Sequence, residues 1–126
     1  MIQQQSIIKV SDNSGAKTVK CIKVLGGFKK KYATIGDIIV VSIQKLRNKS
    51  KKTSKVKKKE IYKALIVRTN TKKHKKDGHS TIFMENSVIL LKNYEKPIGT
   101  RIVGPIPKSL KKKKLQKFLS ITTSVV

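Results

Sequence analysis

The nine residues Ile35-Gly36-Asp37-Ile38-Ile39-Val40-Val41-Ser42-Ile43 carry the clearest structural signal in the chain. The Gly-Asp pair favours a turn, because both residue types tolerate the backbone conformations that turns require. The Ile and Val side chains that follow pack well on a pleated sheet and lose side-chain freedom in a helix. This stretch therefore predicts a turn followed by a β-strand.

Further apolar runs of the same kind lie on both sides of this stretch, each short and bounded by turn-forming residues. The chain has sixteen Ile and three Ala, a usage typical of strands and not of helices. Five or six short strands without helices between them predict an all-β fold, a small antiparallel barrel. The other runs are Ile7–Val10, Val19–Leu25, Ile61–Val67, Ile82–Met84 and Val88–Leu91.

The last quarter of the chain departs from the strand pattern. Residues 97–107 contain three prolines and two glycines, which predicts a loop without regular structure. One or two short helices are expected to begin near Pro107. Their apolar side is narrow and lacks tryptophan, so we expect it to pack on the barrel and not to bind a membrane surface. The apolar residues with helical spacing are Leu110, Leu115, Phe118 and Leu119.

Length and charge limit the kind of protein. The chain has 126 residues, 37% of them apolar, which is enough for one folded domain with one core. It has 31 Lys and Arg against six Asp and Glu, a net charge of +25, and a polyanion would relieve the resulting self-repulsion. Nucleic acid is the first candidate partner and an anionic membrane the second. The longest apolar runs have four residues against the roughly 20 of a membrane-spanning helix.

The lysines are concentrated in the connections between the predicted strands. Residues 29–31 and 72–76 are almost entirely lysine, and residues 48–59 contain seven. A single charge run is often only a solvated surface. Several runs of one sign with few acidic residues favour contact with phosphates.

The basic residues are 28 Lys and only 3 Arg, which favours recognition of the RNA backbone over reading of bases. Guanidinium groups read guanine edges in a bidentate manner, whereas lysines act as flexible point charges. We therefore expect a folded RNA to be bound mainly through phosphates. Tyr32 is either a stacking residue or a cover for the end of the barrel, and Arg101 is either a specific contact or a solvated side chain.

Catalytic and cofactor motifs do not assemble in this sequence. His74, His79 and Cys21 leave a metal site one ligand short and badly spaced. Cys21 lies in the middle of a predicted strand, where a buried and inert thiol is the ordinary explanation. The stretch Gly26-Gly27-Phe28-Lys29 lacks the spacing of a phosphate-binding loop. The sequence thus predicts a protein that is not an enzyme and has no metal and no cofactor.

Six stretches of the chain resemble the universal large-subunit ribosomal protein fourteen family, in its bacterial and organellar form. They occur in the family order and extend over nearly the whole chain. They are Ser11–Ala16, Cys21–Gly27, Tyr32–Val40, Val67–Thr69, Glu85–Val88 and Gly99–Pro105.

The resemblance implies a fold and a place in the cell. The fold would be a single domain over residues 1–126, a five-stranded antiparallel β-barrel with a projecting β-ribbon, and with residues 97–126 as a loop and short C-terminal helices packed on the barrel. The protein would be a structural constituent of the large ribosomal subunit, binding large-subunit rRNA and reaching small-subunit rRNA in an intersubunit bridge. Neighbouring ribosomal proteins similar to numbers three and nineteen would be its protein partners.

The lysine clusters and the family-matched stretches together define the expected contacts. The loop of Thr100 and Arg101, with Lys117, is similar to the family's docking surface for the ribosomal silencing factor, which blocks subunit joining. The expected rRNA-binding residues are Asn13, Ser14, Lys17, Lys23, Lys29, Lys30, Lys31, Tyr32, Lys49, Lys51, Lys52, Lys55, Lys57, Lys58, Lys59, Arg68, Lys72, Lys73, Lys75 and Lys76.

Two departures from the family pattern concern residues 47–60 and residues 122–126. The first are expected to form a hairpin that is longer and richer in lysine than the family's, with a tip that reaches rRNA or proteins outside the family pattern. The second lack the usual acidic and proline residues. Heavy use of Lys, Ile and Asn is what an AT-rich genome imposes. The first residues, MIQQQS, do not resemble a presequence, so we expect a protein encoded in an organelle, a mitochondrion or a plastid, with an AT-rich bacterium as the alternative. The alternative function is a free barrel that acts as a nucleic-acid-binding translation factor.

Overall fold

The fold is described from a computed structural model, for residues 1–47, 53–93, 96–113 and 116–126. Strands dominate these residues, and helical structure is confined to the C-terminal part. The strands are β1 Ile2–Gln3, β2 Ile7–Val10, β3 Ala16–Val24, β4 Tyr32–Ala33, β5 Ile38–Leu46, β6 Ile61–Arg68, β7 Lys73–His74, β8 Ser80–Thr81, β9 Ser87–Lys92, β10 Lys96–Pro97, β11 Ile102–Ile106 and β12 Thr122–Val125. A 3-10 helix spans Lys108–Lys113, and α1 spans Gln116–Ser120.

Five strands close into a barrel, which confirms the predicted fold. Antiparallel pairs join β2 to β3, β3 to β5, β5 to β6 and β6 to β9. The ring closes where β9 returns to β2, and this pair is parallel, with Lys9 opposite Ser87 and Val10 opposite Val88. Strand directions cannot alternate all the way round a closed ring of five, so one parallel pair is unavoidable. The prediction of an antiparallel barrel is therefore correct for every strand pair except this seam.

The molecule has two clusters of buried apolar side chains. They explain why buried and exposed residues alternate in some strands, whereas other strands are buried on both sides. In β2 and β5 every second residue is buried, because one side of each strand faces the barrel interior. In β6 and β9 the residues 64–67 and 87–91 are all buried. Their inner side chains join the barrel core, and their outer ones pack under the C-terminal segment. That outer cluster includes Leu65, Val67, Ile89 and Leu91 with Ile102, Ile106, Leu110 and Phe118.

The C-terminal segment partly corrects the sequence prediction. The expected loop is wrong at β11, which pairs in parallel with β12 and shifts register between Ile102 and Pro105. Bonds around this pair include those from the Ile102, Val103 and Val126 amides to the Ile121, Ser11 and Ile106 carbonyls. Pro105, which has no N–H, stands where the register shifts. The short helices are confirmed, and Leu110 and Phe118 are buried against the barrel as expected. Leu115 lies outside the described residues.

The connection between β6 and β9 contains a β-ribbon, which the sequence had not placed there, and lacks one strand that was predicted. The ribbon consists of β7 and β8, with Lys73 opposite Thr81 and His74 opposite Ser80. The strand predicted at Ile82–Met84 does not form, because only Phe83 finds a buried position there. Ile82 and Met84 are 60% and 95% exposed, so the apolar composition of this run does not mark a buried strand.

Cys21 lies in the barrel core, where its side chain is 1% exposed. Burial raises the pKa of its thiol above the ordinary value, because the interior disfavours the thiolate. This agrees with the expected inert role.

The turn that follows β2 holds the parallel seam together. The Asp12 side chain is buried and accepts three hydrogen bonds. Its Oδ1 accepts from the Ser14 amide at 3.1 Å and the Ser14 hydroxyl at 2.5 Å, and its Oδ2 accepts from the Leu90 amide at 3.0 Å. Beyond Val88, β9 leaves β2 and pairs with β10. The Asp12 carboxylate therefore satisfies a β9 amide at the point where the strand changes partners.

We predict that Asp12→Asn lowers the free energy of unfolding by about 2–4 kcal/mol, since an amide group turned toward these donors leaves at least one buried N–H without an acceptor. Urea denaturation of the purified protein measures this. The matched control is Asp77→Asn at an exposed carboxylate, for which the change should stay within about 0.5 kcal/mol. Equal stability of the two variants would contradict a central role for the Asp12 carboxylate.

Candidate nucleic-acid interface

A cationic groove of about 970 Å³ runs beside the parallel seam, between the ends of β2, β3, β5 and β6 and the start of β11. Six basic side chains line it against one acidic side chain, Glu85. Such an arrangement concentrates positive potential in a concave surface, which raises the local concentration of an anionic ligand. The basic residues are Lys9, Lys17, Lys45, Arg47, Lys58 and Arg68.

The sequence prediction included only half of the basic groove residues. Lys17, Lys58 and Arg68 were expected to bind rRNA, whereas Lys9, Lys45 and Arg47 were not. Lys9 stands between buried Ile8 and Val10 on β2, so strand alternation alone gives it an outward direction. That signal was available in the sequence. The meeting of β2, β5 and β6 at one groove depends on the closure of the barrel, which spacing along the chain does not reveal.

Arg68 is the most constrained cation in the groove. Its Nη2 donates to the Ser87 hydroxyl at 3.1 Å and to the Val103 carbonyl at 3.4 Å, while its buried Nε has no partner among the described residues. Burial lowers the pKa of the guanidinium, an effect that the charge of Glu85 opposes. Arginine still stays protonated at neutral pH. A partly desolvated cation gains more from an anion than a fully solvated lysine does.

Gly104 makes room for this arginine. A Cβ at position 104 would lie 2.3 Å from Arg68 Nη1, and the backbone φ there is +91°, a conformation that side chains other than glycine rarely adopt. Only glycine therefore lets β11 approach the guanidinium so closely.

The loop after β3 carries Lys29, Lys30 and Lys31, and the structure separates their roles. Lys30 is half-buried and forms an ion pair with Asp37 at 3.0 Å, which ties the loop to the turn before β5. Lys29, Lys31 and the nearby Lys23 are exposed. Tyr32, expected on the loop, lies instead in β4, where it pairs with Gln3 of β1 and is 53% exposed.

The ribbon of β7 and β8 carries a second group of lysines. Lys72 and Lys76 are exposed, and Lys73 and Lys75 are half-buried. The Lys75 amide donates to the His79 carbonyl at 2.8 Å, which closes the tip of the ribbon. The expected rRNA contacts at these four positions stay a prediction.

The lysine-rich connection between β5 and β6 is attached to the barrel at both described ends. The Arg47 amide donates to Gly15 and the Lys55 amide to Ser14, and Val56 is buried in the barrel core. Val56 was missed, although a single apolar residue within a basic run is a usable signal. Lys55, Lys57, Lys58 and Lys59 are exposed. Lys49, Lys51 and Lys52 lie outside the described residues.

Glu60, at the end of this connection, accepts hydrogen bonds from its neighbours Lys57 and Tyr62. The hydrogen bond from the Tyr62 phenol, with one from the Lys57 amide, lowers the pKa of the Glu60 carboxyl. Burial and the bond to Glu60 raise the pKa of Tyr62 to about 12. The pair stabilises the start of β6.

The other acidic residues in the described part of the chain also serve local structure. Asp12 and Asp37 hold turns, Asp77 accepts from the His79 amide at the ribbon tip, and Glu85 pairs with Lys9 at 2.5 Å. The hydrogen bond from Lys9 lowers the pKa of Glu85. These acids therefore neutralise few of the exposed lysines, and the surface keeps its positive charge.

Asn13 and Ser14 have structural tasks of their own. The Ser14 side chain is 1% exposed and donates to Asp12, so its hydroxyl is not presented to solvent. The exposed Asn13 holds the loop at positions 99–101. Its Oδ1 accepts from the Thr100 amide at 2.7 Å and the Arg101 amide at 3.2 Å, and its Nδ2 donates to Thr100 Oγ1 at 2.8 Å. A Cβ at Gly99 would lie 2.6 Å from Asn13 Oδ1, so this contact requires glycine.

The residues of the expected docking surface lie on neighbouring elements. Thr100 and Arg101 are exposed on the loop before β11, and Lys117 is exposed on α1. The Ile102 amide donates to the Ile121 carbonyl at 3.1 Å, which joins the loop to the turn that follows α1. The loop and the helix thus present their exposed cations from adjoining parts of the C-terminal segment.

Other kinds of site find no support in the part of the chain that the structure describes. No group of three or more His, Cys, Asp and Glu side chains there could hold a metal ion. None of the helices in the same residues has the length and apolar character needed to cross a bilayer.

These features define a class of small, closed β-barrel proteins with a large positive charge that is spread over strands, loops and C-terminal helices. A family comparison identifies the particular group within it: residues 1–126 match the family described as ribosomal protein L14p/L23e. The chain belongs to this family and is a protein of the large ribosomal subunit. The family predicted from the six stretches of sequence is confirmed.

We predict that Asn13→Ala accelerates hydrogen exchange of the Thr100 and Arg101 amides by about tenfold or less, because their shared acceptor is removed and a net hydrogen bond contributes about 1 kcal/mol. Amide exchange followed by NMR measures both residues directly. Asn70→Ala, at another exposed asparagine, should leave both rates unchanged. Unaltered exchange in Asn13→Ala would show that other contacts hold the loop.

Proposed function

We propose that this protein is a structural constituent of the large ribosomal subunit that binds large-subunit rRNA and catalyses no reaction. The observation that carries the proposal is the groove in which six cations face one acidic residue. Family membership supports the same role. The amino-acid usage supports an organellar ribosome, in a mitochondrion or a plastid.

Contact with RNA phosphates is the function that best fits this surface. The groove cations come from four barrel strands and the adjoining connection between β5 and β6, so the closed barrel fixes their spacing before any RNA binds. Exposed lysines on the loop after β3, on the ribbon and on residues 53–60 would extend the contact beyond the groove. Each neutralised phosphate releases condensed counterions, so affinity should depend steeply on salt. Base reading would be sparse, since lysines carry no fixed fork of donors.

We expect binding to a short A-form RNA duplex of mixed sequence to weaken with salt at a log–log slope near −9, if about ten phosphates are neutralised. Dissociation constants measured between about 50 and 200 mM KCl give this slope. Lys17→Gln and Lys45→Gln in the groove should each reduce its magnitude by about 1. Lys108→Gln, at an exposed lysine outside the groove, is the matched control. A wild-type slope shallower than about −2 would refute binding through phosphates.

The second part of the proposal concerns the docking surface of Thr100, Arg101 and Lys117. We assign to it the contact with small-subunit rRNA in an intersubunit bridge and, where a ribosomal silencing factor exists, the binding of that factor. Asn13 and Gly99 support this role, because they fix the loop that presents Arg101. Neighbouring ribosomal proteins similar to numbers three and nineteen complete the proposed environment.

We predict that Arg101→Glu leaves assembly into large subunits unchanged and weakens subunit joining by about tenfold, because a reversed charge at an interface opposes the partner's phosphates. Sucrose-gradient sedimentation measures assembly, and light scattering measures joining. Lys92→Glu makes the same charge change at an exposed strand end and should have a much smaller effect on joining. Equal joining by both variants would remove Arg101 from the bridge.

A further inference from the structure

Phe28 is an aromatic side chain that the fold leaves almost wholly in solvent. It is 94% exposed, against 53% for Tyr32 and 9% for Phe83. It occupies the tip of the loop between β3 and β4 and lines a shallow hollow of about 600 Å³. Single exposed apolar side chains are common on protein surfaces, so the case for a partner at Phe28 rests on the residues that surround the ring.

The loop that carries Phe28 is held at both ends. The Leu25 amide donates to the Ile38 carbonyl at 3.3 Å, and Lys30 pairs with Asp37 at 3.0 Å. The chain then enters β4, where buried Ala33 lies opposite Ile2. The ring is therefore presented by an anchored loop, which reduces the conformational entropy lost when a partner binds.

The surroundings of the ring are cationic and rich in polar side chains. Lys29 Nζ lies 5.5 Å from the ring centroid, within the range of a cation–π contact. Lys23 and Lys31 line the same hollow, together with Gln3 and Gln4. The hollow thus combines a flat apolar surface, several positive charges and amide groups that both donate and accept hydrogen bonds.

We propose that Phe28 is a stacking platform for an unpaired nucleobase, and that this hollow holds a bulged or looped-out nucleotide of RNA. The inference rests on the proposed RNA-binding function and adds a ligand class to it. A base stacks on the exposed ring, the adjacent lysines neutralise the phosphates on either side, and Gln3 and Gln4 reach the base edge. A protein partner fits less well, because protein interface cores are depleted of lysine.

The test uses the full chain and two RNA hairpins whose stems are closed by the same non-nucleotide linker and that differ only by one unpaired nucleotide in the stem. The wild type should bind the bulged hairpin more tightly than the fully paired one. Phe28→Ala should weaken binding of the bulged hairpin by about 5- to 150-fold, the range that corresponds to the loss of one base–aromatic stacking contact. Binding of the paired hairpin should stay unchanged. Met84→Ala, which removes an equally exposed apolar side chain from another loop, should alter neither.

Two further variants separate stacking from simple apolar contact. Phe28→Leu keeps an apolar side chain but has no aromatic face, so it should resemble Phe28→Ala. Phe28→Trp should keep the preference for the bulged hairpin. Since the chain has no tryptophan, this variant carries a single indole, whose fluorescence should be quenched by the bulged hairpin and not by the paired one.

The outcomes distinguish this inference from the function on which it rests. If the wild type binds neither hairpin, both the RNA-binding function and the stacking site are wrong. If it binds both hairpins equally, or if Phe28→Ala and Phe28→Leu retain the preference for the bulge, only the stacking site is wrong. Loss of Phe28→Ala from assembled large subunits with unchanged hairpin binding would assign the ring to a protein neighbour and likewise overturn the inference.

Discussion

The buried carboxylate of Asp12 is the interaction on which the rest of the structure depends. A ring of five strands must contain one parallel pair, and here that pair is short, with two residue pairs between β2 and β9. β9 then exchanges β2 for β10 as its neighbour. Asp12 fills the resulting gap by accepting the Leu90 amide, and it also shapes the turn through Ser14. The Asp12 side chain thus stabilises both the strand pair that closes the barrel and the turn through which the chain leaves β2.

The surface is organised from the same turn. Asn13 holds the loop of Thr100 and Arg101, while the carbonyls of Ser14 and Gly15 accept from Lys55 and Arg47 on either side of the lysine-rich connection. A few consecutive residues therefore position both proposed contact regions relative to the core. A substitution in this turn is expected to affect RNA contact and subunit joining together, even where it touches neither partner.

How far the sequence predicts this structure depends on whether a feature is local. The strand at Ile38–Leu46 follows from β-branched runs and a turn signal, which act between neighbours in sequence. The groove residues Lys9 and Lys45 could not be grouped, because barrel closure brings them together. The strand Ile102–Ile106 was missed because it contains a proline. Proline is excluded from the middle of a regular sheet but is tolerated in an irregular strand that is only partly paired. The exposure of Phe28 could not be predicted, because the exposure of a loop side chain depends on the tertiary structure.

The acidic and the basic side chains have different roles in this structure. The acidic residues of the described chain form hydrogen bonds in turns and at strand starts, and they form short ion pairs. The few negative charges in the sequence therefore stabilise local structure. Lys9 and Lys30 form ion pairs, whereas many other lysines are exposed and repel one another. The isolated protein therefore retains an electrostatic strain that a polyanion relieves. Stability and the proposed function are linked in this way: the acidic side chains are used in folding, and the positive charge that remains on the surface suits the proposed RNA partner.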